Sequence, residues 1–187
     1  MKLLNKLLTV PSKRIVIFVT LGALIVFILL TVLMGQYDSM ITGKSPYGVI
    51  DFEFAYTQTQ AQKILNDWGS DLISIERFVT YLDFAYILSY VLLSAGVALL
   101  ITRSLPERFQ PIGLGFTALA PLAGVFDIVE NIALLTMLDN PTSFAAPVPT
   151  LATVCATIKF GALLIAIGFV VVVVIGKIMR RIWWRNA

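Results

Sequence analysis

Residues 15–35, IVIFVTLGALIVFILLTVLMG, carry no charged side chain. As a helix rising ~1.5 Å per residue, the run matches a hydrocarbon layer of ~30 Å. Three further apolar runs follow, at about 78–102, 112–138 and 150–176. In lipid every backbone N–H and C=O must be satisfied internally, and runs this long and continuous do so as helices. Composition agrees: 58% of the chain is hydrophobic and 13% charged, against about 25% charged in an ordinary soluble domain. The expected fold class is all-α, a polytopic membrane four-helix bundle. One transmembrane domain covers residues 1–187, and an outer segment at 36–77 carries a short amphipathic helix. A signal peptide is the rival reading of residues 15–35. The run is too long for an ordinary h-region and no A-x-A-like site follows, so a retained span is expected.

The basic residues are unevenly spread. Lys2, Lys6, Lys13, Arg14, Arg103, Arg108, Lys177, Arg180, Arg181 and Arg185 fall on one side of a four-span arrangement. The other side holds Lys44, Lys63 and Arg77 against seven acids. The positive-inside rule then puts both termini in the cytoplasm. These basic patches flank spans, so they read as topology signals and contacts to anionic lipid of the bilayer, not as nucleic-acid sites. The terminal MRRIWWRNA fits an inner-interface anchor. Histidine is absent and Cys155 is the one cysteine. The usual zinc and haem ligands and the commonest general base are therefore missing, and no metal or cofactor is expected.

Within the outer segment, VIDFEFAYT alternates Ile50, Phe52 and Phe54 with Asp51 and Glu53. Such alternation predicts a short extended stretch, with the two acids on a solvated face. TQTQAQKILNDWG predicts a helix capped at Thr57 or Thr59 and ended by Gly69, with Ala61, Ile64, Leu65 and Trp68 on one face. That helix is expected to cover the bundle mouth, with Trp68 at the rim. The helix that carries the second span is expected to start near Ser70 or Asp71, outside the membrane.

The third run contains FDIVEN, residues 126–131. Asp127, Glu130 and Asn131 stand at i, i+3 and i+4 and share one helical face. Two carboxylates and an amide are costly inside lipid, so they must face protein or water. Helix rise puts them, together with Asp83 and Lys159, at a common level in the outer half of the bilayer. Thr80, Asp83, Tyr90 and Ser94 fall close to one stripe, with Tyr86 beside it; Ala152, Cys155, Ala156 and Lys159 form another. Small residues at Gly124, Ala133, Ala156 and Ala162 permit close helix approach. The candidate ligand-binding set is therefore Asp83, Asp127, Glu130, Asn131, Lys159, Tyr86 and Tyr90. Lys159 is expected to pair with a carboxylate. Buried ion pairs that only fix helix register are the plain alternative.

The motifs SPYGVIDFEFAYTQTQAQKILNDWG, LDFAYILSY, FDIVENIALL and IKF occur in order over residues 45–160. In this the chain resembles a broad, uncharacterised group of small four-span bacterial integral membrane proteins, marked by D-x-x-E-N in the third span and K-F in the fourth. The resemblance implies a bacterial inner-membrane location. It also implies that Asp83, Asp127, Glu130, Asn131 and Lys159 belong to a shared pattern. It implies no activity.

Three functions compete. The first is a charged pocket open to the outer leaflet that binds or acts on an amphiphilic, lipid-like molecule. A protonated acid beside a carboxylate could do acid–base work there, and Lys159 could orient a head group. The second is proton- or cation-coupled transport, which with four spans calls for a homo-oligomer. The third is a non-catalytic assembly subunit in which the charges are structural. No nucleophile elbow, phosphate loop or metal motif favours a particular enzyme.

Overall fold

Each apolar run lies in one long helix of the computed structural model, which describes residues 6–183. Helix α1 is Lys13–Thr42, α3 is Gln58–Thr102, α4 is Gln110–Asp139 and α5 is Pro147–Trp183. A short helix α2, Val49–Glu53, lies between α1 and α3, and a 3-10 turn at Glu107–Phe109 precedes α4. No strand occurs among the described residues. Four helices are long and apolar enough to cross a membrane. Lys2 and the expected anchor residues Trp184 and Arg185 lie outside the described residues.

Two readings differ from the expectation. Helix α1 continues seven residues past Gly35 because no breaker intervenes before Gly43, whose N–H closes the last turn on Ser39. The stretch VIDFE is helical, not extended. A lone extended segment would leave its backbone groups without a partner strand, whereas one helical turn satisfies them. Asp51 supports that turn by accepting from the Gly48 N–H at 2.8 Å. Helix α3 joins two helices across Gly69, so the helix expected up to Gly69 and the one expected from Ser70 or Asp71 are both present in it. Thr57 caps it as expected, accepting from Gln60 N–H. Gly69, at φ 60°, ψ −174°, is the non-helical residue that ends the first run and sets the kink before the second.

The kink turns the first part of α3 across the connector end of the molecule. Its face Ala61, Ile64, Leu65 and Trp68 is buried there against Phe52, Leu134, Met137, Leu138 and Phe144. The Trp68 indole donates to the Tyr47 carbonyl at 2.9 Å. At the far side of this layer Arg77 pairs with Asp139 at 2.9 Å and donates to the Leu138 carbonyl, holding α3 to the end of α4.

Helix α4 sits between α3 and α5, while α1 packs chiefly on α3. Glycines set the spacing at two crossings. A Cβ on Gly96 would stand 2.0 Å from the Thr20 hydroxyl of α1, and one on Gly124 would stand 2.6 Å from Val91 of α3. At the terminus end Arg103 donates to the carbonyls of Leu7 and Pro11, fastening the N-terminal segment. The outward faces are apolar: Phe18 is 74% exposed, Leu164 69% and Val172 69%. Apolar area this extensive on the outside of a monomer calls for lipid or a partner, not water.

Candidate functional site

Helix α4 presents Asp127, Glu130 and Asn131 on its buried face, as their spacing predicts. Lys159 of α5 reaches them through the stripe Ala152, Cys155 and Ala156, all buried small residues that let α5 lie close to α4. The ammonium is 3.0 Å from Asp127 Oδ1 and 3.0 and 2.9 Å from the two Glu130 oxygens. The contact to Glu130 Oε2 is an ion pair rather than an aligned hydrogen bond. Glu130 is fully buried and Lys159 is 6% exposed. The expected Lys159–carboxylate pairing is therefore present, with two acids of α4 at once.

Helix α3 completes the constellation. Tyr90 donates its hydroxyl to Asp127 Oδ2 at 2.8 Å. Asp83 accepts from the Asn131 amide at 2.7 Å. Tyr86 reaches the group through its ring, edge-on to Tyr90 and stacked with Phe27 of α1. All seven candidate residues thus converge.

Two acids were misjudged from sequence. Glu53, expected on a solvated face, is 9% exposed and its Oε1 lies 3.6 Å from Lys159 Nζ. Thr153 of α5 holds it there by donating to the Glu53 carbonyl at 2.9 Å. Its second oxygen has no hydrogen-bond partner. Burial pushes the Glu53 carboxyl above its ordinary range, and the Lys159 ammonium partly opposes this. The flanking Phe52 and Phe54 were the available signal, since both are apolar neighbours of an acid in a helical turn. Asp51 is exposed, as expected. The other missed acid is Glu76, which is 1% exposed. It extends the Thr80–Asp83–Tyr90 stripe by one turn, and its Oε2 is without a partner.

A cavity of about 390 Å³ adjoins the cluster. Glu53, Asp83, Asp127 and Lys159 border it at one end; Leu163 and Ile167 of α5 and Phe27, Thr31 and Met34 of α1 form its walls. In the structure α1 supplies one whole wall and Glu130 lies behind the lining. The roof is Ile50 and Glu53 of α2, whereas Trp68 is packed in the connector-end core and does not reach the rim. Among the described residues no set of histidine, cysteine and carboxylate side chains is arranged to hold a metal ion.

Away from this end the buried polar side chains are of a different kind. Thr20, Thr102 and Thr117 each donate to a carbonyl one turn back on their own helix. Such bonds satisfy each hydroxyl locally, and Thr102 and Thr117 also meet across α3 and α4 with their hydroxyls 3.5 Å apart. Comparison with protein-family models, curated proteins and solved structures finds no match for this chain.

Proposed function

We propose that the chain is an integral membrane protein that holds an amphiphilic, lipid-like molecule in the cavity between α1, α3 and α5. The observation that carries this reading is the cavity's two-ended form. Fixed charges and tyrosines gather at one end, and apolar side chains line the rest up to the gap between α1 and α5. A pocket that is mostly apolar with a few convergent polar groups suits a ligand whose head meets the charges and whose tail lies between helices. With both termini cytoplasmic, as the basic residues favour, the charged end belongs to the outer half of the bilayer. The motif pattern of the chain supports a bacterial inner membrane as the setting.

A transport path is less well supported. Below Ser94 the buried hydroxyls of Thr20, Thr102 and Thr117 donate to their own helices, and the 3.5 Å contact between Thr102 and Thr117 brings in no ionisable group, so the terminus half offers little relay for a proton or cation.

The test is native mass spectrometry of the protein purified from its membrane in a mild neutral detergent. Wild type is expected to carry a co-purified amphiphile. Thr31→Trp, which fills the mouth of the cavity, is expected to lose it, while Phe18→Trp on the exposed face of the same helix keeps it. Equal occupancy in wild type and Thr31→Trp would refute the reading.

A further inference from the structure

The charges at the head of the cavity do not balance. Four carboxyl groups, Glu53, Asp83, Asp127 and Glu130, surround a single ammonium, that of Lys159. That ammonium is also spent. Its hydrogens face Asp127, Glu130 and Glu53, and the ring of Phe160 lies 4.9 Å away. An anionic head group would have to displace one of these carboxylates from Lys159 and would then sit among the other three.

The unused capacity is for the opposite sign. Glu53 is nine-tenths buried, borders the cavity, and has one oxygen with no hydrogen-bond partner. Asp83 borders the same space and, among the described residues, has the Asn131 amide as its one donor. The rings of Tyr86 and Phe27, stacked at 5.0 Å, line the same space. Carboxylates beside aromatic faces, at the head of a mostly apolar cavity, form the environment that attracts an ammonium group.

We propose that the pocket selects amphiphiles with a cationic head, an amine or quaternary ammonium, seated between Glu53 and Asp83 with its tail along Leu163 and Ile167. This rests on the pocket reading above. The bound cation supplies the charge that Lys159 alone does not, and Lys159 serves to hold the acids in place rather than to meet the ligand.

Three probes with one tail and different heads separate the possibilities: dodecyltrimethylammonium, dodecyl sulfate and dodecanol. Each is titrated below its micellar concentration against the full chain in neutral-detergent micelles, with occupancy read by native mass spectrometry. The ammonium probe is expected to bind about tenfold or more tighter than either of the others. Glu53→Gln and Asp83→Asn are each expected to weaken it about tenfold while leaving dodecanol unchanged. Using both variants guards against one failing to fold. Should all three probes bind alike and all be lost in Thr31→Trp, the pocket stands and the cationic selection falls. Preference for the sulfate overturns it in favour of an anion at Lys159. Should Thr31→Trp leave every probe unaffected, the pocket reading itself fails.

Discussion

Replacing Lys159 by Met keeps most of the side-chain volume and removes the charge, so its cost is electrostatic rather than a cavity. In the structure it orphans Asp127, Glu130 and Glu53 together. Breaking a buried pair from one side typically costs about 3–5 kcal/mol. Against a total stability of about 5–15 kcal/mol that is a large share. The three acids are not equivalent. Asp127 keeps the Tyr90 hydroxyl and Glu53 is the most distant, whereas Lys159 is the donor to Glu130. Lys159→Met combined with Glu130→Gln is therefore expected to be less destabilised than the sum of the single variants, by about 0.5–3 kcal/mol. The corresponding coupling with Asp127→Asn is expected to be smaller. Equilibrium unfolding in mixed micelles of the four proteins of each cycle measures both couplings. Wild-type stability in Lys159→Met, or strictly additive losses, would refute the reasoning.

Three further outcomes are expected. The raised carboxyl of Glu53 binds its proton more tightly when folded, so its contribution is fully present below its ordinary value of 4.5 and is lost as pH rises through the folded value. Unfolding profiles of wild type and Glu53→Gln should accordingly diverge upward from about that pH, with the variant the less pH-sensitive; parallel profiles would show Glu53 to be unperturbed. Gly69→Ala meets no atom within 4 Å yet has to adopt φ 60°, so it should cost on the order of 1–3 kcal/mol by thermal unfolding, whereas Gly115→Ala, equally free of neighbours and inside α4, should be neutral or stabilising. Single cysteines in a Cys155→Ser background report sidedness: one at exposed Lys44 should be labelled from outside the cell and one at exposed Arg180 only after permeabilisation, and the reverse pattern would invert the orientation.

What could be read from the sequence follows what leaves a local trace. The four long helices are visible because lipid-length apolar runs admit little else. The i, i+3, i+4 spacing of Asp127, Glu130 and Asn131 fixes their common face without any knowledge of the partners, and Thr57 and Gly69 mark their positions by cap chemistry and backbone freedom. The part played by α1 is not legible. That helix is apolar on every side, so no periodicity distinguishes the Phe27–Thr31–Met34 face from the faces turned outward. Glu53 was lost because a two-residue alternation over five residues fits one turn of helix as well as a strand. Glu76 was lost because it falls inside residues 36–77, the outer segment, and so stands apart from the stripe of the span that it extends by one turn.

The pairing of Lys159 also bears on the order in which the protein can be made. Every carboxylate that surrounds this ammonium precedes it in the chain, and the helix that carries it is the last. Chains emerge N-terminus first, so Asp127 and Glu130 are synthesised before their counter-charge exists, and acids left alone in lipid are costly. Only the short link from Asn140 to Ala146 separates α4 from α5. A link that short would let the two helices enter lipid together as a hairpin, so that the acids and their counter-charge arrive in one step. A chain broken off before residue 159 would keep its acids uncompensated, and the same ion pair that closes the finished site would distinguish complete molecules from truncated ones.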